Sequence, residues 1–297
     1  MGRRPILTFE DCHAVLNGTA GRGMADRVRD GLLHRLDVAR RNAGSLPPEV
    51  EALRARLADD PAATREVFTQ FKQEHPQLLA QHMVFANVDQ LCHWLDMRPA
   101  EGVERVSKAV VVGGIHGNEL SGMAVAGTIH DEHPESRVRT FSNGNPWAGM
   151  LISRRNLGDD GHSVDMNRIF PGDPNGTPEQ QRAAEICSAA QKADLSIDLH
   201  EGLADWDQGR AGRLCIFHPT PQSLAFLKAF EPVLREHDFR LVPYRYDGTL
   251  VQEAGKGGAG VSLLFELPLS LDFDARTELG TKLVRSALHL GFHPPKQ

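Results

Sequence analysis

The run Ala109-Val110-Val111-Val112-Gly113-Gly114-Ile115-His116-Gly117-Asn118-Glu119 decides the fold. A continuous β-branched stretch that stops at two glycines reads as a strand buried on both faces of a parallel sheet. The apolar spacing from Leu120 to His130 that follows reads as a helix, so the stretch is a strand-to-helix crossing. Downstream the alternation continues. Strands are expected at Val138–Phe141, Leu195–Leu199, Leu214–Phe217 and Val261–Leu267, and helices at Pro178–Lys192, Pro221–Glu236 and Leu271–Leu290. Strands alternating with helices specify an α/β fold, a sheet with helices on both faces. Between them lies a long loop, Asn143 to Thr177, and a loop of that length inside a compact domain is more often functional than neutral.

Upstream the pattern is different. Met24, Val28, Leu32, Leu36 and Ala39 recur every three or four residues, and Val50, Leu53 and Leu57 keep that period. Asp60-Pro61 opens a further helix with an apolar face at Val67, Phe68 and Phe71. The chain therefore divides into a helical N-terminal region, 1–100, and an α/β domain, 101–297. The first part is neutral in sum, and the whole net charge of −6 falls on the second. That balance argues against nucleic acid as a partner. No apolar run reaches the ~18–20 residues of a membrane span, and Met1-Gly2-Arg3-Arg4-Pro5 lacks the apolar core of a signal peptide. Cys12, Cys92, Cys187 and Cys215 are scattered, which suits reduced thiols. A cytoplasmic protein with no membrane partner is expected. The Cys12-His13 and Cys92-His93 pairs lack zinc-finger spacing and read as chance neighbours.

Chemistry-bearing residues gather where strands end. His116 and Glu119, three apart at a helix start, can face one point, and an imidazole with a carboxylate suits zinc. Ser196-Ile197-Asp198-Leu199-His200 carries His200 to a strand's C-terminal end, where open α/β sheets place their sites. Asp198 alternates onto the same side and can orient a ligand; Glu201 reads as a loop carboxylate. Glu266 is the one charge in Val261–Pro268, and desolvation there raises a carboxyl pKa. It is either a proton-transfer group or the partner of an arginine. In the long loop Arg154, Arg155, Asn167 and Arg168 offer donors for anions. Gly255-Lys256-Gly257-Gly258-Ala259-Gly260 precedes a strand and lacks Gly-Lys-Ser/Thr, so it reads as a mobile loop near the site rather than a phosphate loop.

Taken in order, Gly-Gly-Ile-His-Gly-Asn-Glu, Asn-Pro-x-Ala…Arg, Asp-Met-Asn-Arg-Ile-Phe-Pro-Gly, Asp-Leu-His and Phe-Glu-Leu-Pro resemble the succinylglutamate desuccinylase/aspartoacylase branch of the zinc carboxypeptidase superfamily, over about residues 105–290. The resemblance implies a zinc-carboxypeptidase-like mixed, mostly parallel sheet and one Zn²⁺ per chain on His116, Glu119 and His200, the His₂Glu set of carboxypeptidase A. It implies Glu266 as the group that activates water and Arg154 as the one that polarises the scissile carbonyl. Arg155 is an alternative, because the connection Asn156–Met166 is longer than the branch's. Asn167 and Arg168 would grip a substrate carboxylate. The implied activity is that of a metal-dependent amidohydrolase or deacylase acting on an N-acyl amino acid. The alternatives are a metallocarboxypeptidase and, from another class, a catalytically silent scaffold on the same fold. The branch's β-rich domain after the catalytic Glu has no counterpart in residues 267–297, which read as one closing helix. Residues 1–100 are accordingly expected to cover the pocket or to build a homo-oligomer interface.

Overall fold

The computed structural model describes residues 7–43, 45–133, 137–157, 163–202, 213–243 and 247–295. The N-terminal region runs β1 (Leu7–Thr8), α1 (Phe9–Leu16), α2 (Arg22–Ala43), α3 (Pro48–Asp59), α4 (Thr64–Glu74), α5 (Pro76–Ala80), β2 (Met83–Val84) and α6 (Val88–Leu95). It continues into β3 (Ala109–Gly113), α7 (Leu120–Glu132), β4 (Val138–Phe141), α8 (Pro146–Met150), β5 (Asn156–Leu157) and β6 (Ser163–Val164). The rest is α9 (Pro178–Gln191), β7 (Leu195–Gly202), β8 (Leu214–Phe217), α10 (Pro221–Glu236), β9 (Arg240–Pro243), α11 (Leu250–Lys256), β10 (Val261–Pro268) and α12 (Phe273–Phe292).

Six strands form the main sheet in the order β4-β3-β7-β10-β8-β9. The first four are parallel, β8 runs antiparallel to β10, and β9 is parallel to β8. The expected mixed, mostly parallel sheet is thus present. Alternation along the strands sorts side chains onto two faces. Val111, Ile197, Leu199, Leu263 and Phe265 pack with α7, α10 and α12, while Val110 and Val112 pack with α9 and α11. Local chemistry starts the helices where the chain needs them. Thr177 and Thr220 each form a capping box, with Gln180 and Ser223 respectively, and Asp272 caps α12.

Three backbones meet at the C-terminal end of β3. A Cβ on Gly113 would fall 2.1 Å from the Gly122 carbonyl oxygen, and one on Gly122 would fall 2.9 Å from that of Leu199. Only glycine permits this approach, and it seats the start of α7 directly on β3 and β7. Gly114, at φ +72°, makes the turn between them.

The N-terminal region packs against α10 and the β9 edge. Phe85 and Leu241 exchange backbone hydrogen bonds of 2.9 Å in each direction, and the apolar core runs unbroken from Leu7 and Trp94 into the sheet. Three expectations are corrected. The stretch Asn143 to Thr177 is not one long loop, because it holds α8 and the antiparallel pair β5 and β6. The stretch Gly255–Gly260 is not one loop, because Gly255 and Lys256 close α11, and Glu201 belongs to β7 rather than to a loop. Among the described residues no helix is long and apolar enough to cross a membrane.

Candidate active site

His116 leaves β3 through the glycine turn, Glu119 is the residue on which α7 begins, and His200 lies near the end of the buried strand β7. The strand ends bring all three together, each 4% exposed or less. His116 Nδ1 lies 2.7 Å from Glu119 Oε1, His200 Nδ1 lies 2.8 Å from Glu119 Oε2, and the two Nδ1 atoms are 3.1 Å apart. Around a tetrahedral ion with ligands at 2.0–2.1 Å, neighbouring donor atoms stand ~3.3 Å apart, so these three fit such a cation. Among the described residues this is the one group of three or more His, Cys, Asp or Glu side chains so arranged.

The far nitrogens are also held. His116 Nε2 lies 3.1 Å from Asp165 Oδ1, and His200 Nε2 lies 3.0 Å from Asp198 Oδ2. A carboxylate behind Nε2 keeps the proton there and turns the Nδ1 lone pair inward, the arrangement metal-binding histidines use. Burial pushes the Glu119 carboxyl up, but the two imidazoles outweigh it and hold the group far below the usual carboxylate range. Burial likewise disfavours a charged His200, yet Asp198 and Glu119 raise its pKa well above an ordinary histidine's. Asp165 is pushed up by burial and pulled further down by His116, Arg168 and Arg154. The site thus sets buried carboxylates and imidazoles in direct contact, the donor types a divalent cation takes.

Glu266 pairs in register with His200 across β10 and β7. The two side chains emerge on the same face, one strand spacing of about 4.8 Å apart. Glu266 is half-buried, whereas its neighbours along β10 are buried. Of the two arginines, Arg154 donates to Glu119 Oε1 at 3.1 Å, and both reach towards Asp165 Oδ2, at 4.0 Å from Arg154 and 3.8 Å from Arg155. Each is about half exposed. Part of the long connection before Asn167, residues 158–162, lies outside the described residues.

Asp165 caps the short turn Met166–Arg168 by accepting from the Asn167 N–H. Asn167 Oδ1 accepts from the Leu250 N–H, and its Nδ2 lies 3.3 Å from His200 Nε2, so the amide keeps donor capacity beside the site. Arg168 is exposed and donates to the Asn167 carbonyl.

Two positions escape sequence reasoning. Asp165 falls inside a motif, but nothing in its spacing shows that it backs His116. Glu201 faces away from His200, onto the α7 side of the sheet. There it accepts from the Ser121 N–H at 2.8 Å and from the Ser121 hydroxyl, and pairs with Arg276 at 3.4 Å. It clamps the first turn of α7, and so fixes where Glu119 stands.

Residues 105–235 match the family described as the succinylglutamate desuccinylase/aspartoacylase catalytic domain, a family of hydrolases, which bears out the resemblance read from the sequence. No curated protein matches at a significant level. Among solved structures, a succinylglutamate desuccinylase/aspartoacylase from Rhodobacter sphaeroides is 23% identical, with 63% of this chain and 56% of that one covered at a TM-score of 0.48. The product-bound ectoine utilization protein EutE (DoeB) of Ruegeria pomeroyi is 19% identical, covering 64% and 59% at 0.46. The cell shape determinant Csd4 of Helicobacter pylori, described as a D,L-carboxypeptidase, is 19% identical, covering 67% and 54% at 0.51. The chain spans a little over half the length of these proteins, and the likeness is one of fold.

Proposed function

We propose that the chain is a zinc-dependent amidohydrolase that removes an acyl group from an N-acyl amino acid or a related small carboxylate metabolite. One observation carries this reading. Two Nδ1 atoms and one carboxylate converge within a few ångströms, and Glu266 emerges beside them on the next strand.

His116, Glu119 and His200 would hold the ion, one per chain. When bound, zinc supplies Lewis acidity and lowers the pKa of a coordinated water from 15.7 towards ~7. Glu266 takes a proton from the attacking water and later delivers it to the departing amine nitrogen, so no acyl-enzyme is needed. Arg154, the arginine in contact with Glu119, rather than Arg155, supports the negative charge that develops on the carbonyl oxygen; one such donor contributes ~3–4 kcal/mol in other enzymes. Arg155 adds positive charge at the mouth. Asn167 Nδ2 and Arg168 receive the substrate carboxylate, the first as a neutral donor and the second as a fork.

The test combines metal analysis with a panel of N-acyl amino acids and C-terminal dipeptides, wild type against Glu266→Gln. About one zinc per chain is expected in both proteins, with kcat lowered by about 10²–10⁴-fold in the variant. Absence of zinc, or turnover unchanged by Glu266→Gln, would overturn the reading. Cleavage of the peptides alone would turn it into a carboxypeptidase.

A further inference from the structure

Glu179, Asn156 and Asn145 form a buried chain of hydrogen bonds, each residue 5% exposed or less. Asn156 Nδ2 donates to Glu179 Oε1 at 2.7 Å, and Asn145 Nδ2 donates to Asn156 Oδ1 at 3.1 Å. Asn145 Oδ1 accepts from the Ala148 N–H at 3.2 Å and so caps α8. A carboxylate only accepts, so Glu179 turns the NH₂ of Asn156 towards α9, and the order of donors and acceptors down the chain follows. The Asn145 N–H then closes on the Gly114 carbonyl at 2.9 Å, in the turn that leads to His116.

Glu179 stands on a rigid support. α9 shares an apolar cluster with the sheet through Ala183, Ile186 and Cys187, and its Arg182 holds the carbonyls of Asn143 and Gly144 at 3.2 Å each. The segment anchored by Asn156 delivers two charged groups to the cluster. Arg154 lies two residues before Asn156 and donates to Glu119 at 3.1 Å. Asn156 pairs with Val164 across β5 and β6, and the next residue, Asp165, lies 3.1 Å from His116 Nε2. Arg154 and Arg155 are themselves about half exposed, so the buried amide beside them is the fixed point of the segment.

Resting on the role given to Arg154 above, we infer that Glu179 is a positioning residue. Acting through Asn156, it holds Arg154 where charge develops on the scissile carbonyl oxygen.

The test joins kinetics on a hydrolysed N-acyl amino acid to limited trypsin digestion, which reads the segment without substrate. Glu179→Ala should lower kcat about 10–100-fold, with zinc content unchanged, and speed cleavage after Arg154 and Arg155 about tenfold. Glu179→Gln, whose amide oxygen still accepts, should restore most of both. Asn156→Asp sets two carboxylates face to face and should resemble Glu179→Ala. Adding Glu179→Gln to it supplies a donor for the introduced carboxylate and should rescue it. In an Arg154→Ala background, Glu179→Ala should lower kcat no further. An undiminished loss in that background, or a Glu179→Ala variant with wild-type kinetics and digestion, overturns the inference and leaves the deacylase reading standing. Should Glu179→Ala fail to fold, the swap decides: a double variant no better than Asn156→Asp overturns the inference. Failure of the wild type to hydrolyse any N-acyl amino acid or peptide overturns both.

Discussion

Asp165 shows how much a single side chain outside the His116–Glu119–His200 cluster can govern. Its Oδ1 lies behind His116 and also accepts from Asn167, so one carboxylate sets the imidazole's orientation and the turn that carries Asn167 and Arg168. Replacing it by Asn keeps the shape and the cap but removes the charge. Asp165→Asn is expected to weaken zinc binding about 10–100-fold, measured by competition with a chromophoric chelator, with the far-ultraviolet circular dichroism unchanged. An unaltered affinity would mean that the contact is incidental. The three members of the cluster were legible, since His-x-x-Glu at a strand-to-helix crossing and a histidine at a strand end each point to one place. Asp165's role was not, because it depends on a contact between residues 49 apart in the chain.

At the scale of elements, legibility followed pattern strength. The strands β3, β7 and β10 were readable because β-branched or alternating runs end at glycine or a charge. Missed were β9, a four-residue strand that begins with Arg240 and ends with Pro243, and α11, whose last turn is disguised by glycines. Long-range packing forms both. The opposite end of the sheet holds a different device. Asp194, just before β7, accepts from the Ser107 hydroxyl at 2.6 Å and from the N–H groups of Ser107 and Lys108 at 2.7 and 3.0 Å, tying the entries of β7 and β3. Slight burial pushes its carboxyl up, but these donors outweigh it and hold the pKa below the ordinary value. A depressed carboxyl contributes stability that is present above the unfolded pKa near 3.9 and is lost as pH falls through the folded value. Asp194→Ala should therefore cost about 1 kcal/mol in urea unfolding at pH 7, discounted for the group's exposure. The difference from wild type should shrink below about pH 4; a gap that stays constant with pH would refute the charge's part in it.

Over the whole molecule, the two regions set apart by sequence share one apolar core. Phe85 is fully buried within it, and its backbone pairs with Leu241 of the outermost strand. Phe85→Ala should cost about 3–5 kcal/mol and lower the midpoint of a single thermal transition rather than split it. Two resolved transitions in calorimetry would show that the regions melt independently. The change near residue 100 from helical spacing to β-branched runs is visible in the sequence. The docking was invisible there, because edge pairing leaves no periodic trace. Its consequence reaches beyond stability. An open terminal strand invites sideways accretion of other chains, and here Phe85 occupies the Leu241 position on that margin. Proteolytic removal of the leading helices would unmask the margin, and loss of colloidal solubility would then precede any loss of the candidate site at the far ends of β3, β7 and β10.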